Sequence, residues 1–171
     1  MVYSACTHHP SSDFGLTQKQ SIKRGQAKEI IDNYFIEFPK IKNYMDSTIA
    51  FAKENGFVET IFKRKRFLSN INSGNATMRG FDERNAINAP IQGSAADIIK
   101  VAMINIHEKL SKNKMKSKLL LQVHDELVLE ILKEEEKDLK KLVKEEMMNA
   151  VKFNVPLDVE IGIGENWLIA H

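Results

Sequence analysis

Residues 119–132 read Leu-Leu-Leu-Gln-Val-His-Asp-Glu-Leu-Val-Leu-Glu-Ile-Leu. Two apolar runs of strand length flank a polar centre, a pattern that predicts two antiparallel strands joined by a tight turn. The turn would hold the imidazole of His124 and the carboxylates of Asp125 and Glu126 at the tip of a rigid hairpin, where a metal-dependent enzyme could place its ligands. Asp is also a common turn residue, so Asp125 could instead only close the hairpin while Glu126 is exposed to solvent.

The composition limits the class of protein. The chain has 171 residues, of which 43% are hydrophobic, enough for one compact domain with a sizeable core or for one domain plus an appendage. Its 25 Lys and Arg against 23 Asp and Glu leave a formal net charge of only +2, so the chain is not uniformly basic. A nucleic-acid interface would therefore depend on local clustering of cations.

The amino-terminal end carries little structural signal. Residues 1–12 have no apolar period, and we interpret them as an irregular leader. The adjacent His8 and His9 are better explained as solvated than as a metal site, because neighbouring side chains diverge. Cys6 is the only cysteine, which excludes an internal disulfide and a thiolate zinc site. With no signal peptide and no apolar run near the roughly 20 residues of a membrane span, we expect a soluble cytoplasmic protein.

Helical patterns follow the leader. Apolar residues at helical spacing predict a first helix over residues 17–35 and a second over residues 39–55. Pro39 is acceptable in the first turn of the second helix, and Gly56 would end it. These two helices should pack against each other.

A short basic hairpin is predicted next. Residues 57–62 read as a strand, and Phe67 and Leu68 as its return partner. Between them lies a basic run of four cations, Lys63, Arg64, Lys65 and Arg66. Such a run can be a solvated loop, but its place directly after a strand equally allows it to contact phosphates.

The second half of the chain alternates helices and strands. Residues 76–110 are predicted to be helical with a break near Pro90, and Ser94 begins a Ser-x-x-Asp pattern typical of a new helix start. After the central hairpin, residues 134–151 predict an amphipathic helix with an acidic first turn. Residues 157–163 predict a final strand. The order of elements indicates an α+β fold, an antiparallel sheet backed by helices.

Four blocks of the chain, in the same order as in the family, resemble family A DNA polymerases and span residues 13–171. The first block is Phe14-Gly15-Leu16 with Tyr34-Phe35, Pro39 and Tyr44-Met45, and the second is Gly56-Phe57-Val58-Glu59-Thr60 with the basic run. The third covers residues 83–100, which read Glu-Arg-Asn-Ala-Ile-Asn-Ala-Pro-Ile-Gln-Gly-Ser-Ala-Ala-Asp-Ile-Ile-Lys. The fourth is Val123-His124-Asp125-Glu126 with the tail Gly164-Glu165-Asn166-Trp167 that ends in His171. The resemblance implies distal fingers-like helices over residues 13–56 and a palm-like region over residues 57–171.

The resemblance also implies DNA contacts. By position, Arg84, Asn88 and Gln92 would contact the minor groove of primer-template DNA, and His124 would touch the primer terminus. These residue types suit that role, because the minor groove offers hydrogen-bond acceptors at similar positions in every base pair. Taken without the family, the amides of Asn88 and Gln92 would instead cap the helix break at Pro90.

The resemblance further implies chemistry at the central hairpin. Asp125 would bind Mg²⁺, with Glu126 as its catalytic neighbour, in a two-ion site that joins deoxynucleoside triphosphates to the primer. The family's second aspartate belongs to an Asp-Tyr-Ser-type motif on an earlier strand, and neither this motif nor the nucleotide-binding fingers helix occurs in the sequence. The two-ion site is therefore incomplete in this chain.

Two further positions depart from the family pattern. His9-Pro10 stands where relatives have a Tyr-Gly pair, so the family's stacking tyrosine is missing. Lys63 stands where relatives commonly have glycine.

Three functions follow as expectations. The chain is expected to be a carboxyl-terminal portion of a DNA-directed DNA polymerase that acts in DNA replication and repair and is inactive alone. The alternative is a non-catalytic fragment that binds DNA through its cations. A third interpretation is an assembly role, through self-association or a complementing amino-terminal fragment, because the missing strand would leave a sheet edge uncovered.

Overall fold

The computed structural model describes residues 24–170, which form two compact units. We call residues 24–91 the N-terminal unit and residues 92–170 the C-terminal unit. The predicted leader, Phe14-Gly15-Leu16 of the first block and the start of the first predicted helix lie outside the described residues, as does His171. Helices combine with two small antiparallel sheets, so the α+β prediction is confirmed.

Two helices begin the N-terminal unit, α1 over Arg24–Glu37 and α2 over Pro39–Asn55. Pro39 lies in the first turn of α2, as predicted, because its missing N–H needs no helical partner there. Gly56 ends the helix with a left-handed φ of 77°, and its N–H donates to the carbonyl of Ala52 at 2.8 Å. A residue with a Cβ would be strained in this conformation.

The predicted hairpin forms, but its first strand ends at Glu59 and not at residue 62, and Lys65 and Arg66 lie in the return strand and not in the connection. Strand β1, Phe57–Glu59, pairs antiparallel with β2, Lys65–Phe67. Strand β1 contributes the buried Val58 to the core of the N-terminal unit. The other buried members of this core are Ala52, Leu68, Ile71 and Ala86.

One long helix, α3, spans Ala76–Lys112 and passes from the first unit into the second. Asn75 precedes it, and its side-chain oxygen accepts the N–H groups of Thr77 and Met78. The predicted break at Pro90 is wrong, because the helix continues through this residue. Proline removes one helical hydrogen bond, but the rest of the helical ladder continues on both sides of it.

The predicted helix start at Ser94 is wrong for the same reason, since Ser94 is a buried residue in the middle of α3. Despite the length of α3, no helix within residues 24–170 is both long enough and apolar enough to cross a membrane.

The C-terminal unit is built on the central hairpin. Strand β3, Lys118–Val123, pairs antiparallel with β4, Glu126–Glu130, with a register shift between Leu119 and Leu121. A 3₁₀ turn, Lys133–Glu135, leads into α4, Glu136–Met148, and a short helix α5 covers Trp167–Ala170. The buried core of this unit contains Ile99, Ala102, Ile106, Leu110, Leu127, Leu139, Leu142, Val143, Met147 and Val159. Helices α3 and α4 therefore back the hairpin.

The predicted final strand over residues 157–163 is wrong, because this segment is irregular. Val159 lies in the core with 2% exposure, which explains the apolar spacing that suggested a strand. A strand also needs a neighbour with which to exchange backbone hydrogen bonds, and the central sheet contains only β3 and β4 within residues 24–170. Burial alone does not create a strand.

Glu135 closes the loop between α3 and β3. Its carboxylate accepts the N–H of Lys116 at 2.8 Å, the N–H of Ser117 at 2.8 Å and the hydroxyl of Ser117 at 2.7 Å. The same hydroxyl oxygen accepts the N–H of Leu132 at 3.0 Å. These bonds join the two ends of the central hairpin to the start of α4.

Glu135→Gln should make the chain less stable at neutral pH. The backbone N–H of Lys116 and the groups of Ser117 lower the pKa of Glu135 below its ordinary 4.5, because they bond the charged form. The lowered pKa means that Glu135 stabilises the fold fully above pH 4.5 and that this contribution is lost as the pH falls through the pKa of the folded state. Urea unfolding of both proteins from pH 7 to pH 3 should therefore show a stability difference that shrinks in acid. Glu134→Gln is the matched control, and an equal effect there would contradict the role of Glu135.

Candidate active-site turn and nucleic-acid interface

A two-residue turn joins β3 to β4 and carries His124 and Asp125. The paired residues that flank it are Val123 and Glu126. His124 adopts a left-handed φ of 53°, as tight hairpin turns require of at least one residue. The side-chain amide of Gln122 donates to the carbonyl of His124 at 2.7 Å. The strand pair that flanks the turn and the amide of Gln122 thus fix its backbone. His124 is exposed and Asp125 is partly exposed.

Glu126 lies in β4 and points away from solvent. It is 9% exposed, and the indole N–H of Trp167 donates to its Oε2 at 3.1 Å. The next residue, Leu127, is fully buried in the core, so both faces of β4 are covered at this point. The expectation of two carboxylates at the tip is corrected, since only Asp125 lies in the turn. The alternative of a solvated Glu126 is wrong.

Metal-binding groups are sparse around the turn. Within residues 24–170, no three His, Cys, Asp or Glu side chains come together in a way that could hold a metal ion. Asp125 supplies one hard oxygen donor at an accessible position, which fits one share of a Mg²⁺ site and not a complete one.

All four cations of the basic run are exposed on the β1–β2 hairpin. Lys63 and Lys65 share the carboxylate of Glu59, with N–O distances of 3.4 Å and 3.9 Å. Arg66 lies on the opposite side of β2, and its Nη2 donates to Oδ1 of Asn85 on α3 at 3.3 Å. Two of the four cations share the carboxylate of Glu59, and the hairpin holds all four on a paired, rigid support.

Lys63 takes the left-handed conformation that glycine would adopt freely. Its φ is 64°, and its N–H donates to the carbonyl of Thr60 at 2.9 Å. The buried Thr60 also fixes the turn through its N–H, which donates to the carbonyl of Arg64 at 3.0 Å. The turn therefore closes with lysine at its left-handed position.

Lys63→Gly should be more stable than Lys63→Ala by about 1 kcal/mol, because alanine keeps the steric cost of the left-handed conformation while glycine removes it. Both variants lack the lysine charge, so their difference isolates the backbone. Urea unfolding followed by circular dichroism would measure it. Equal stability of the two variants would contradict the strain.

Arg84, Asn88 and Gln92 follow one another at four-residue intervals along α3. This spacing places successive side chains one turn apart on the same side of a helix. Arg84 and Gln92 are exposed and Asn88 is half-buried. Because the helix continues through Pro90, there is no break for the two amides to cap, and that alternative is wrong. Their contact with DNA stays a prediction.

Several contacts near the β1–β2 hairpin and the start of α3 were not predicted from the sequence. Asp82 is 5% exposed, and its Oδ2 accepts the N–H of Asn70 at 2.7 Å, which holds the loop before α3. The rings of Phe51, Phe57 and Phe67 form two edge-to-face contacts, with centroids 5.8 Å and 5.9 Å apart. The strand pairing of Phe57 with Phe67 was the available signal for the second contact. Nothing local pointed to Asp82.

Comparison with known proteins decides the family. The sequence profile of DNA polymerase family A matches residues 9–169. The chain belongs to DNA polymerase family A. The predicted family is therefore confirmed.

The chain is similar to DNA polymerase I of several bacteria. It is 53% identical over 156 residues to DNA polymerase I of Caldicellulosiruptor bescii, which covers 91% of this chain and 18% of that protein. The values for Streptococcus pneumoniae (strain R6) are also 53%, 91% and 18%, and for Bacillus subtilis (strain 168) they are 47%, 91% and 18%. The chain thus spans about a fifth of the length of these relatives.

A solved structure has the same fold. The POL domain of Pol1 from M. smegmatis, in complex with DNA primer-template and dNTP, matches with a TM-score of 0.90 and 42% identity. The match covers 93% of this chain and 28% of that chain.

Proposed function

We propose that the chain is the carboxyl-terminal portion of a DNA-directed DNA polymerase of family A. It would contribute distal fingers-like helices over residues 13–56 and a palm-like region over residues 57–171. The observation that carries the proposal is the fixed two-residue turn, which holds Asp125 at an accessible tip in a chain of this family. Primer-template DNA and deoxynucleoside triphosphates would be the partners of the complete enzyme, as in the complex of the M. smegmatis protein.

The role of each turn residue follows from its position. Asp125 would hold Mg²⁺ through its carboxylate, and His124, exposed beside it, would contact the primer terminus. When bound, a divalent ion neutralises phosphate charge and activates the primer hydroxyl. The buried Glu126 would act on the neighbouring turn and would not be a second tip ligand. A second carboxylate must come from elsewhere in the polymerase, because the described residues bring no further acid to the turn in a metal-binding group.

The purified chain alone should not extend a primer. One carboxylate cannot hold two Mg²⁺ ions in octahedral oxygen coordination, so the chemical step lacks its metal site. The measurement is extension of a labelled primer-template with all four deoxynucleoside triphosphates and Mg²⁺, with DNA polymerase I of a relative as the positive control. Robust extension that purifies together with the chain would overturn the incomplete-site proposal.

DNA binding without chemistry is the second candidate function. The exposed basic run and the line of Arg84, Asn88 and Gln92 on α3 supply cations and amide donors of the kind that contact phosphates and the minor groove. Such binding would weaken steeply with salt. It would be shared by the isolated chain and the complete polymerase, so it is measurable without catalysis.

An assembly role is supported by the open surface of the C-terminal unit. A groove of about 670 Å³ lies between β4, α4 and the tail, lined by Leu120, Val128, Ile161, Ile163, Trp167 and others. The central sheet has only two strands within residues 24–170, so it has edges able to pair with another strand. We infer that a complementing amino-terminal polymerase fragment, or a second copy, covers this surface. Light scattering across a wide concentration range tests the second copy, and an unchanging monomer would exclude it.

A further inference from the structure

The tail of the chain is held against itself by two close contacts at glycine. We call residues 159–170 the C-terminal latch. A Cβ at Gly162 would overlap the carbonyl oxygen of Ala170, and a Cβ at Gly164 would lie 2.7 Å from Cγ2 of Ile169. Val159, at 2% exposure, anchors the start of the latch in the core. Gly162 and Gly164 can therefore approach Ile169 and Ala170 this closely only because neither glycine has a side chain.

The far end of the latch presents Trp167 to the central hairpin. Asn166 immediately precedes α5, and its carbonyl accepts the N–H of Ala170 at 3.1 Å while its side-chain oxygen accepts the N–H of Ile169 at 3.1 Å. The indole N–H of Trp167 then donates to Oε2 of Glu126 at 3.1 Å. Glu126 immediately follows Asp125 and pairs with Val123 across the turn. The tail thus contacts one of the two residues that flank the active-site turn.

We propose that Trp167 is a positioning residue for Asp125: it anchors the buried Glu126 carboxylate, and the C-terminal latch holds Trp167 in place. The two adjacent acids then have different roles. Asp125 lies partly exposed in the turn, and Glu126 fixes the start of the strand that follows it. The proposal rests on the proposed polymerase function for its catalytic consequence, but the positioning itself belongs to this chain.

The burial of Glu126 gives the anchor its strength. A carboxylate that is 9% exposed loses most of its contact with water, so an indole donor that replaces water at Oε2 is worth more than it would be on the surface. Trp167 is itself 47% exposed, so burial in the core does not by itself explain a tryptophan at this position. A bulky aromatic left half in solvent with its polar atom on a buried acid indicates a specific contact.

The lone tryptophan makes the anchor observable, since the chain has one Trp. In Glu126→Leu and in Gly162→Ala, acrylamide should quench Trp167 fluorescence about twice as efficiently, because release would expose the covered half of the indole. Glu126→Gln keeps an acceptor oxygen and should stay closer to the parent chain. Gly74→Ala is the matched control, because a Cβ there meets nothing within 4 Å. Unchanged quenching in Glu126→Leu would overturn the proposal.

Hydrogen exchange separates positioning from general support. In Trp167→Phe, the amides of Asp125 and Glu126 should exchange about tenfold faster, as expected for loss of a hydrogen bond to a charged group. The amides of Leu119 and Leu129, paired at the other end of the hairpin, should not change. Faster exchange in all four, or in none, would overturn the proposal and leave only a packing role for Trp167.

The catalytic consequence has its own readout. The test uses a graft in which this chain replaces the matching 156 residues of the C. bescii DNA polymerase I. In this graft, Trp167→Phe should lower kcat about tenfold, because the loss of a contact that supports a metal ligand has an effect of this size. The nucleotide KM should change less than about twofold. An unchanged kcat would overturn the catalytic consequence. An inactive graft before any substitution would instead count against the proposed function, while quenching and exchange still decide the positioning.

Discussion

Replacing Lys63, Arg64, Lys65 and Arg66 together by glutamine should flatten the salt dependence of primer-template binding by up to about four units in the slope of log K against log [salt], about one per lost phosphate contact. The four side chains are exposed on a paired hairpin, and Glu59 offsets only part of their charge. Fluorescence anisotropy with a labelled primer-template between about 50 and 200 mM salt would measure the slope. Proteins with several phosphate contacts lose about 10³-fold or more in DNA affinity over this interval.

A charge-matched variant makes that test specific. Lys112, Lys114, Lys116 and Lys118 are four exposed cations at the end of α3 and the start of β3. Their replacement by glutamine removes the same charge from a different place. If both variants flatten the slope equally, binding depends on net charge alone. If the basic-run variant keeps the parent slope, the run is only a surface loop.

The elements that the sequence predicted well are those with local signals. Helix α2 was predicted from Pro39 to its end at Gly56, because a proline at a helix start and a glycine after a helix end act through their own backbone preferences. The central hairpin was likewise predicted, since two apolar runs and a short polar connection fix pairing within a few residues. Both features need no distant partner.

The errors lie where distant residues decide. Pro90 should interrupt a helix by its own chemistry, but α3 continues through it, so the local preference of one residue did not decide the outcome. Residues 157–163 have strand-like spacing, yet strand formation depends on a pairing partner that their own sequence does not reveal. Glu126 is buried, and it accepts a hydrogen bond from Trp167, which lies 41 residues later in the chain. No local pattern around residue 126 contains that information.

Asp125→Asn should lower primer extension by about 10³-fold when the chain replaces the matching 156 residues of the C. bescii DNA polymerase I. The amide keeps the size and the turn preference of aspartate, so the hairpin should stay folded. It removes the negative charge that a divalent ion requires of its protein ligand. A loss of that size corresponds to several kcal/mol of transition-state stabilisation, which a turn residue with only a structural role could not supply.

Asp138→Asn in the same graft is the matched control. Asp138 is an exposed residue at the start of α4, so the substitution makes the same chemical change at a place away from the active-site turn. It should retain extension within about twofold, as surface substitutions usually do. If Asp125→Asn also stays within that range while circular dichroism shows both variants folded, Asp125 only closes its hairpin. The metal ligands of the polymerase would then have to be sought outside residues 123–126, and the fixed geometry of the turn would have to serve the placement of His124.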